Sequence, residues 1–240
     1  MIRIFLAGAT GAVGQPLCRL LLARGYYVIG STRSADKVPL LKQLGLEPVV
    51  VDVFDEVALR RAVMRARPNA VINQLTDLPP GPDPARMDDA RARNARLREE
   101  GTRNLLDAAR AGGAQRFVAQ SIAFAYAPGP LPYSEESALA TDAPDPLGMT
   151  ARAIENMELQ ILESPLDSVI LRYGKFYGPG TGFDAPPPGG ALHVHDAARA
   201  AMLALAQGAP GVYNVAEDDG TVTSLKAVRE LGWEPGFRLD

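Results

Sequence analysis

Short runs of apolar residues alternate with amphipathic segments along most of the chain. The apolar runs predict strands at residues 2–7, 27–31, 48–52, 70–74, 116–120, 168–172 and 211–215. Between them, leucine, valine and alanine recur at helical spacing, which predicts helices at 15–24, 37–44, 57–66, 101–110, 152–162 and 196–207. Continuous apolar strands separated by helices are typical of a parallel sheet covered on both faces. The pattern therefore predicts an α/β fold with a doubly wound parallel sheet.

The regular alternation changes near Gly178. Residues 179–190 are rich in proline and glycine, which predicts a loop or a disordered lid. We expect residues 1–178 to form the main domain. Residues 179–240 are expected to form a small C-terminal substrate-binding cap, together with a helix and a strand that return to the main domain.

Composition and charge narrow the class of protein. The 240 residues are 47% hydrophobic and 22% charged, as in ordinary globular proteins. The net charge is -3 and the chain has no basic cluster, so we expect no nucleic-acid partner. The apolar start at residues 1–6 is too short for a signal peptide or a membrane span. The single cysteine, Cys18, lies in a leucine-rich helical pattern and is expected to be a buried thiol. A chain without an internal disulfide fits a cytoplasmic location.

The segment between the first strand and the first helix carries the strongest chemical signal. It reads Gly-x-x-Gly-x-x-Gly, and its expected cofactor-binding residues are Gly8, Thr10, Gly11, Ala12, Val13 and Gly14. Glycine permits the tight turn and lets the backbone approach a pyrophosphate, which then lies at the positive end of the helix. In this position the pattern is typical of a dinucleotide-binding Rossmann fold.

The residues that follow the second strand favour NADP(H) over NAD(H). NAD-binding loops usually place a carboxylate there to hold the ribose hydroxyls, but this chain has none before Asp36. Arg33 is able to pair with a 2′-phosphate, and Ser34 and Lys37 offer further donors. The alternative is that Arg33 is simply a solvated loop residue.

Several segments together resemble the short-chain dehydrogenase/reductases, in their extended, nucleotide-sugar-epimerase-like branch. They are residues 8–14, 52–53, 101–106, 116–126, 171–180, 193–200 and 229–235. The resemblance implies that Asp52 and Val53 flank the adenine of the cofactor. It also implies that the cofactor is lined by Gln74, Leu75 and Thr76 and that the nicotinamide is bordered by Tyr173, Gly174 and Lys175. We expect no metal at the site.

The catalytic residues of that family are replaced in this chain. Members normally carry a serine or threonine after the fifth strand and a Tyr-x-x-x-Lys motif at the start of the next helix. Here Leu147 and Ala151 stand where the tyrosine and the lysine are expected, and neither transfers a proton. Ile122 occupies the usual serine position, one residue after Ser121. The usual proton relay is therefore missing or rebuilt.

Tyr126, Ser121 and Lys175 are the candidate catalytic residues that remain, and Tyr126 is the favoured proton donor. Its alternative role is an aromatic wall that contacts the substrate. Lys175 would polarise a carbonyl or lower the pKa of a phenol, unless it is a solvated loop lysine. Tyr177 and His193 are weaker candidates, since a histidine before a helix more often orders the helix start.

A second route needs no acid from the protein, because a substrate with an acidic hydroxyl beside its ketone supplies its own proton. The leading hypothesis is therefore an NADPH-dependent ketone reductase of small aromatic or polyketide-like substrates, as in antibiotic biosynthesis. The alternatives are a nucleotide-sugar epimerase or dehydratase, a flavin or quinone reductase, and a non-catalytic NADP sensor. A cap of fewer than seventy residues predicts an open cleft for a bulky, flat substrate.

The partner is expected to be a small molecule, and the protein a monomer or a homodimer. Relatives often pair through two helices, which correspond here to residues 91–111 and 152–162. The first of these is heavily charged, and the alternative is that it forms a solvated face. Its charged residues are Arg91, Arg93, Arg96, Arg98, Glu99 and Glu100.

Overall fold

A computed structural model describes residues 1–78 and 84–239, without the side chains of residues 84–86 and 88. The strands in chain order are β1 (Arg3–Ala7), β2 (Tyr27–Thr32), β3 (Glu47–Val50), β4 (Ala70–Asn73), β5 (Arg116–Ile122), β6 (Asp167–Tyr173), β7 (Lys175–Tyr177), β8 (Ala191–His193) and β9 (Gly211–Val215). Seven of them form one parallel sheet in the order β3-β2-β1-β4-β5-β6-β9, and β7 pairs with β8. The predicted doubly wound sheet is therefore confirmed.

Eight α-helices accompany the strands in the described part of the chain. They are α1 (Gly14–Ala23), α2 (Val38–Gln43), α3 (Glu56–Ala66), α4 (Pro84–Arg96), α5 (Thr102–Ala111), α6 (Leu147–Leu162), α7 (Val194–Leu203) and α8 (Leu225–Leu231). A 3-10 turn at Ala35–Lys37 precedes α2, and a π-helical turn at Leu97–Gly101 joins α4 to α5. None of these helices is long and apolar enough to cross a membrane.

The two faces of the sheet build two separate cores. Because successive side chains of a strand point to opposite faces, Ile4 and Leu6 pack with α1, α2, α7 and α8, whereas Phe5 and Ala7 pack with α3, α5 and α6. Cys18 is buried in the first core, and burial raises the pKa of its thiol to about 12. The apolar runs of the sequence are continuous because both faces are covered.

The last sixty residues contribute to the layers of the main sheet. Strand β9 pairs with β6, and α7 packs beside α1 on the same face. Trp233 is fully buried, and its indole N–H donates to the carbonyl oxygen of Asp196 at 3.0 Å. The helix and the strand expected to return from the C-terminal part lie there, while a substrate-binding role for residues 179–240 stays a prediction.

Three elements of the structure were not predicted from the sequence, and one predicted helix is interrupted. The periodicity predicts neither β7 nor β8, because three-residue strands carry no periodic signal, and it does not separate α8 from the closing segment. The helix expected at residues 91–111 is interrupted by the π turn. Pairing of this region with a second copy of the chain stays a prediction.

The turn between β1 and α1 is built on backbone contacts that only glycine allows. Gly8 has a φ of +88°, and a Cβ added to it would lie 2.4 Å from the carbonyl oxygen of Gln74. A Cβ added to Gly14 would lie 2.1 Å from the carbonyl oxygen of Gly8. Gly11 closes the turn by donating its N–H to that same oxygen at 3.1 Å. These contacts fix the shape of the loop.

We predict that Gly14→Ala lowers the free energy of unfolding of the ligand-free protein by about 1–3 kcal/mol, because the methyl group forces the Gly8 carbonyl away. Gly11→Ala is the matched control, since its added Cβ would lie 3.4 Å from the same oxygen, an ordinary contact. Urea unfolding of both variants measures the difference. Equal stability of the two variants would contradict this account of the turn.

Candidate active site

The loops that follow β1, β4 and β6 meet at the carboxyl-terminal edge of the sheet. The chain reverses its order of strands between β1 and β4, and ligands of open α/β sheets bind outside such a switch point. Expected cofactor residues on these loops are Gly8, Thr10, Gly11, Ala12, Val13, Gly14, Gln74, Leu75, Thr76, Tyr173, Gly174 and Lys175. The first turn of α1 holds no acidic residue, so its positive end suits a pyrophosphate.

A buried amide beside the glycine loop offers one acceptor to a ligand. Gln74 is 5% exposed, and its Nε2 donates to the Tyr173 hydroxyl at 3.3 Å. Its Oε1 atom is buried and has no hydrogen-bond partner within the described ranges. An orphaned buried acceptor fits a ligand that brings a donor, as the hydroxyl groups of a dinucleotide do. The residues at this edge therefore fit a nicotinamide dinucleotide.

Tyr173 is fully buried at the end of β6. Its hydroxyl donates to the carbonyl oxygen of Ala197 at 3.3 Å, and burial raises the pKa of the phenol above its usual range. Behind it, Gly174 passes so close to the next strand that an added Cβ would lie 2.4 Å from the carbonyl oxygen of Gly190. This close packing fixes the start of the loop that follows β6.

The residues expected around the adenine lie on the loop after β3. One carboxylate oxygen of Asp52 accepts the N–H of Phe54 at 3.0 Å, and the carbonyl oxygen of Val53 accepts a bond from Asn104 at 3.0 Å. The Phe54 ring is covered by the guanidinium of Arg96 at 4.1 Å. The loop is therefore held in place from α4 and α5, with the Asp52 side chain at the surface.

Arg33 contacts a residue that the sequence did not single out. Its guanidinium is 65% exposed and lies 3.2 Å from the carboxylate of Asp77, which is also 3.4 Å from the Nε of Arg93. Two arginines thus bracket one carboxylate at the ends of β2 and β4. The hydroxyl of Ser34 donates to Asp36, so this donor is already engaged. Spacing along the chain gave no signal of these contacts, because they join distant residues.

An apolar cluster surrounds Ala151, the residue that the sequence analysis places in the lysine position. Ala151 is fully buried against Ala125, Ala140 and Ile154, and Ile122 packs at the margin of the same group. We call these residues the alanine cluster. It joins the loop at residues 123–146 to the first two turns of α6. No space is left there for a lysine side chain.

Glycine permits the loop to approach this closely. A Cβ added to Gly148 would lie 1.9 Å from the carbonyl oxygen of Ala143. Leu147, in the expected tyrosine position, begins α6 and is 41% exposed. The start of α6 thus presents an apolar and partly exposed side chain.

A row of buried polar side chains lies beneath this loop, and we call it the polar row. Ser121, Arg172 and Asn214 are neighbours on β5, β6 and β9. Glu158 of α6 accepts hydrogen bonds from the Ser121 hydroxyl at 2.7 Å and from Arg172 at 2.6 and 2.9 Å. Both partners of the ion pair are less than a tenth exposed. Buried charges are tolerated when they are paired and hydrogen-bonded in this way.

Tyr126 completes the polar row. Its hydroxyl donates to Asn214 at 2.5 Å and accepts a hydrogen bond from Arg172 at 3.1 Å. Burial raises the pKa of this phenol, and its ring stacks on that of Tyr133 at a centroid distance of 5.0 Å. Tyr126 and Ser121 are candidate catalytic residues from the sequence, and both hydroxyls are hydrogen-bonded inside the protein. This geometry favours a structural role for them.

The other candidates for proton transfer also have partners. Lys175 donates to the carbonyl oxygen of Pro188 at 2.8 Å, which connects β7 to the proline-rich loop. The Nδ1 atom of His193 accepts the N–H of His195 at 3.1 Å and caps α7, while burial lowers its pKa. Tyr177 donates to Glu217 at 2.7 Å. Among the described residues, no group of three or more potential metal ligands lies together.

Comparison with known proteins gives two kinds of similarity. A family of NAD(P)H-binding proteins matches residues 8–207. A Streptomyces sp protein named 3-diazoavenalumate denitrifying reductase is 42% identical over 245 residues, which cover 91% of this chain and 77% of the relative. Both matches span most of the chain, so they show its family.

Solved structures share the fold at lower identity. The UDP-glucose 4-epimerase of Thermotoga maritima has a TM-score of 0.78 and 21% identity, covering 98% of this chain and 94% of that one. The dTDP-glucose 4,6-dehydratase of Streptomyces venezuelae has a TM-score of 0.77 and 21% identity, covering 99% and 93%. The chain therefore belongs to the NAD(P)H-binding family and is an NAD(P)H-dependent oxidoreductase with the fold of these epimerase and dehydratase structures.

Proposed function

We propose that this protein is an NADPH-dependent reductase that transfers hydride to a small aromatic acceptor without a proton donor from the protein. The observation that carries the proposal is the alanine cluster. It fills the space of the usual lysine around Ala151, while Leu147 stands in the tyrosine position. The hydroxyls of Ser121 and Tyr126 are bonded within the polar row. These contacts leave no ordinary acid at the expected place.

The glycine loop and the ends of β4 and β6 would hold the dinucleotide. The backbone of Gly8–Gly14 would receive the pyrophosphate, Asp52 would lie beside the adenine, and the buried oxygen of Gln74 would accept from a hydroxyl group. Arg33, largely exposed at the end of β2, would pair with the 2′-phosphate that distinguishes NADPH from NADH. When bound, the nicotinamide supplies a hydride.

The type of acceptor follows from the absence of an acid. A ketone that gains a hydride becomes an alkoxide and must also gain a proton. A diazonium carbon needs no proton, because the new C–H bond replaces the C–N bond, whose electron pair leaves with dinitrogen. The relative at 42% identity is named for the denitrifying reduction of a diazo compound. We therefore favour an arenediazonium-type acceptor.

An aromatic ketone with its own acidic hydroxyl is the second candidate. Such a substrate would supply the proton itself, so that no side chain of the alanine cluster or the polar row has to donate one. Epimerase and dehydratase chemistry is disfavoured by Leu147 and Ala151, because those reactions rely on a base at the same place. The experiment with two acceptors, described next, distinguishes both candidates from a quinone or flavin reductase and from a cofactor sensor.

The proposal is tested with the purified protein, NADPH and two aromatic acceptors, an ortho-hydroxyarenediazonium and an ortho-hydroxyaryl ketone. We expect NADPH oxidation above the rate without protein, with dinitrogen released from the diazonium acceptor and deuterium transferred from 4-deuterated NADPH to the carbon that lost nitrogen. Absorbance and mass spectrometry of the product report both. Turnover of the ketone alone would select the second candidate, and no oxidation with either acceptor would contradict the reductase proposal.

The variant Tyr126→Phe tests whether the Tyr126 hydroxyl has a structural role or acts as the general acid. The variant removes two buried hydrogen bonds, so we expect a loss of about 1–2 kcal/mol in the free energy of unfolding. Below its melting temperature, kcat should stay within about threefold of wild type, because a lost general acid costs about 100-fold or more. A fall of that larger size in the folded variant would instead identify Tyr126 as the proton donor.

Arg33→Ala tests the choice of cofactor without any acceptor. We expect the dissociation constant for NADP⁺ to rise by about tenfold to a hundredfold and that for NAD⁺ to change little, because only NADP⁺ carries the 2′-phosphate. Calorimetric titration measures both. Arg65→Ala, at an exposed arginine of α3, is the matched control. An equal change for the two cofactors would refute the assignment of Arg33.

A further inference from the structure

One arginine at the same edge of the sheet lies in an interrupted helix. Arg98 belongs to the π turn Leu97–Gly101, between α4 and α5. A π turn adds a residue to the helical repeat, so the side chains around it are rotated relative to those of an uninterrupted α-helix. Such turns are found frequently at functional sites. The contacts made by the neighbouring residues show where this turn lies in the fold.

The neighbouring turns of the helix contact the segment that follows β4. Asn94, one turn before Arg98, accepts the N–H of Asp77 with its Oδ1 atom at 3.0 Å. Thr102, one turn after it, accepts a hydrogen bond from Asn73 at 3.4 Å. Arg98 therefore lies in the chain between two contacts with the carboxyl-terminal end of β4, the edge of the sheet that holds the candidate site.

Across from the π turn, α6 brings the carboxylate of Glu158 into electrostatic range of Arg98. That carboxylate already accepts two bonds from Arg172 and one from Ser121. Its attraction for Arg98 opposes the effect of burial, but its hydrogen bonds go to Arg172 and Ser121. Two guanidinium groups therefore share this one carboxylate.

The side chain of Arg98 is half-buried. Within residues 1–78 and 84–239, its guanidinium makes no hydrogen bond and no ion pair. Burial lowers its pKa to about 10, so the group still carries its charge at neutral pH. A partly desolvated charge without a partner is unfavourable for the folded protein. A ligand that brings a negative charge would remove this penalty.

We propose that Arg98 is a substrate-binding residue that pairs with an oxyanion, a carboxylate or a phenolate, on the aromatic acceptor. The planar guanidinium offers several donors in a fixed arrangement that suits such oxygens. The inference rests on the proposed function for the identity of the acceptor, but not for the charge of the ligand. It assigns acidic aromatic compounds as the substrate class.

The test is calorimetric binding to the NADP⁺-loaded protein, with two pairs of unreactive aromatic probes. Cinnamate is compared with cinnamamide, and 4-nitrophenolate with 4-nitroanisole. We expect wild type to prefer the anion of at least one pair, and Arg98→Gln to lose about tenfold or more of that preference. Arg98→Lys should retain part of it. Arg103→Gln, at an exposed arginine of α5, is the matched control and should match wild type.

If Arg98→Gln loses the preference for cinnamate, the oxyanion is a carboxylate. If it loses the preference for 4-nitrophenolate, the oxyanion is a phenolate. A wild type without any preference for the anions, or an Arg98→Gln protein that keeps the wild-type preference, would overturn the proposal. Because no turnover is measured, this result does not depend on whether a diazonium or a ketone is reduced. Reduction by Arg98→Gln at saturating acceptor, with a raised KM, would support both proposals together.

The melting temperature of the ligand-free variant separates binding from a structural role. If Arg98 serves a ligand, removal of its half-buried charge leaves the melting temperature of Arg98→Gln unchanged or higher. If Arg98 stabilises the π turn, the melting temperature falls, which would count against the proposal.

Discussion

The buried ion pair between Arg172 and Glu158 determines the arrangement of the whole site. It joins β6 to α6, and neighbouring bonds from Ser121, to Tyr126 and to the carbonyl oxygen of Glu135 extend it to β5 and to the loop above. Removing two charges from water is unfavourable unless such additional hydrogen bonds compensate it. With the loop held in this way, the alanine cluster closes around Ala151, the residue that the sequence analysis places in the lysine position.

Much of the fold follows from the sequence because its signals are local. Continuous apolar runs in the strands, a period of 3.6 in the helices and the glycine loop predict the doubly wound sheet and its ligand-binding edge. The sequence also predicts that the usual proton relay is replaced, since Leu147 and Ala151 stand at a fixed spacing in one helix. The residues that pack around Ala151 are not predictable from the sequence, because Ala125 and Ala140 contact α6 only in the folded chain.

The charged side chains of the site were harder to predict for the same reason. Tyr126 is engaged by Arg172 and Asn214, 46 and 88 residues away, and Arg33 meets Asp77 across 44 residues. In the sequence, Arg98 is one of several charges along a helix that reads as a solvated face. Its orientation depends on a π turn, which no hydrophobic period predicts.

The central claim is that hydride reaches the acceptor without a proton from the protein. The most direct measurement is turnover of the diazonium acceptor with unlabelled NADPH in heavy water. We predict a solvent isotope effect on kcat close to one and no deuterium at the carbon that lost nitrogen. A substantial isotope effect, or solvent deuterium at that carbon, would contradict the account and show that a protein or solvent group delivers a proton in the slow step.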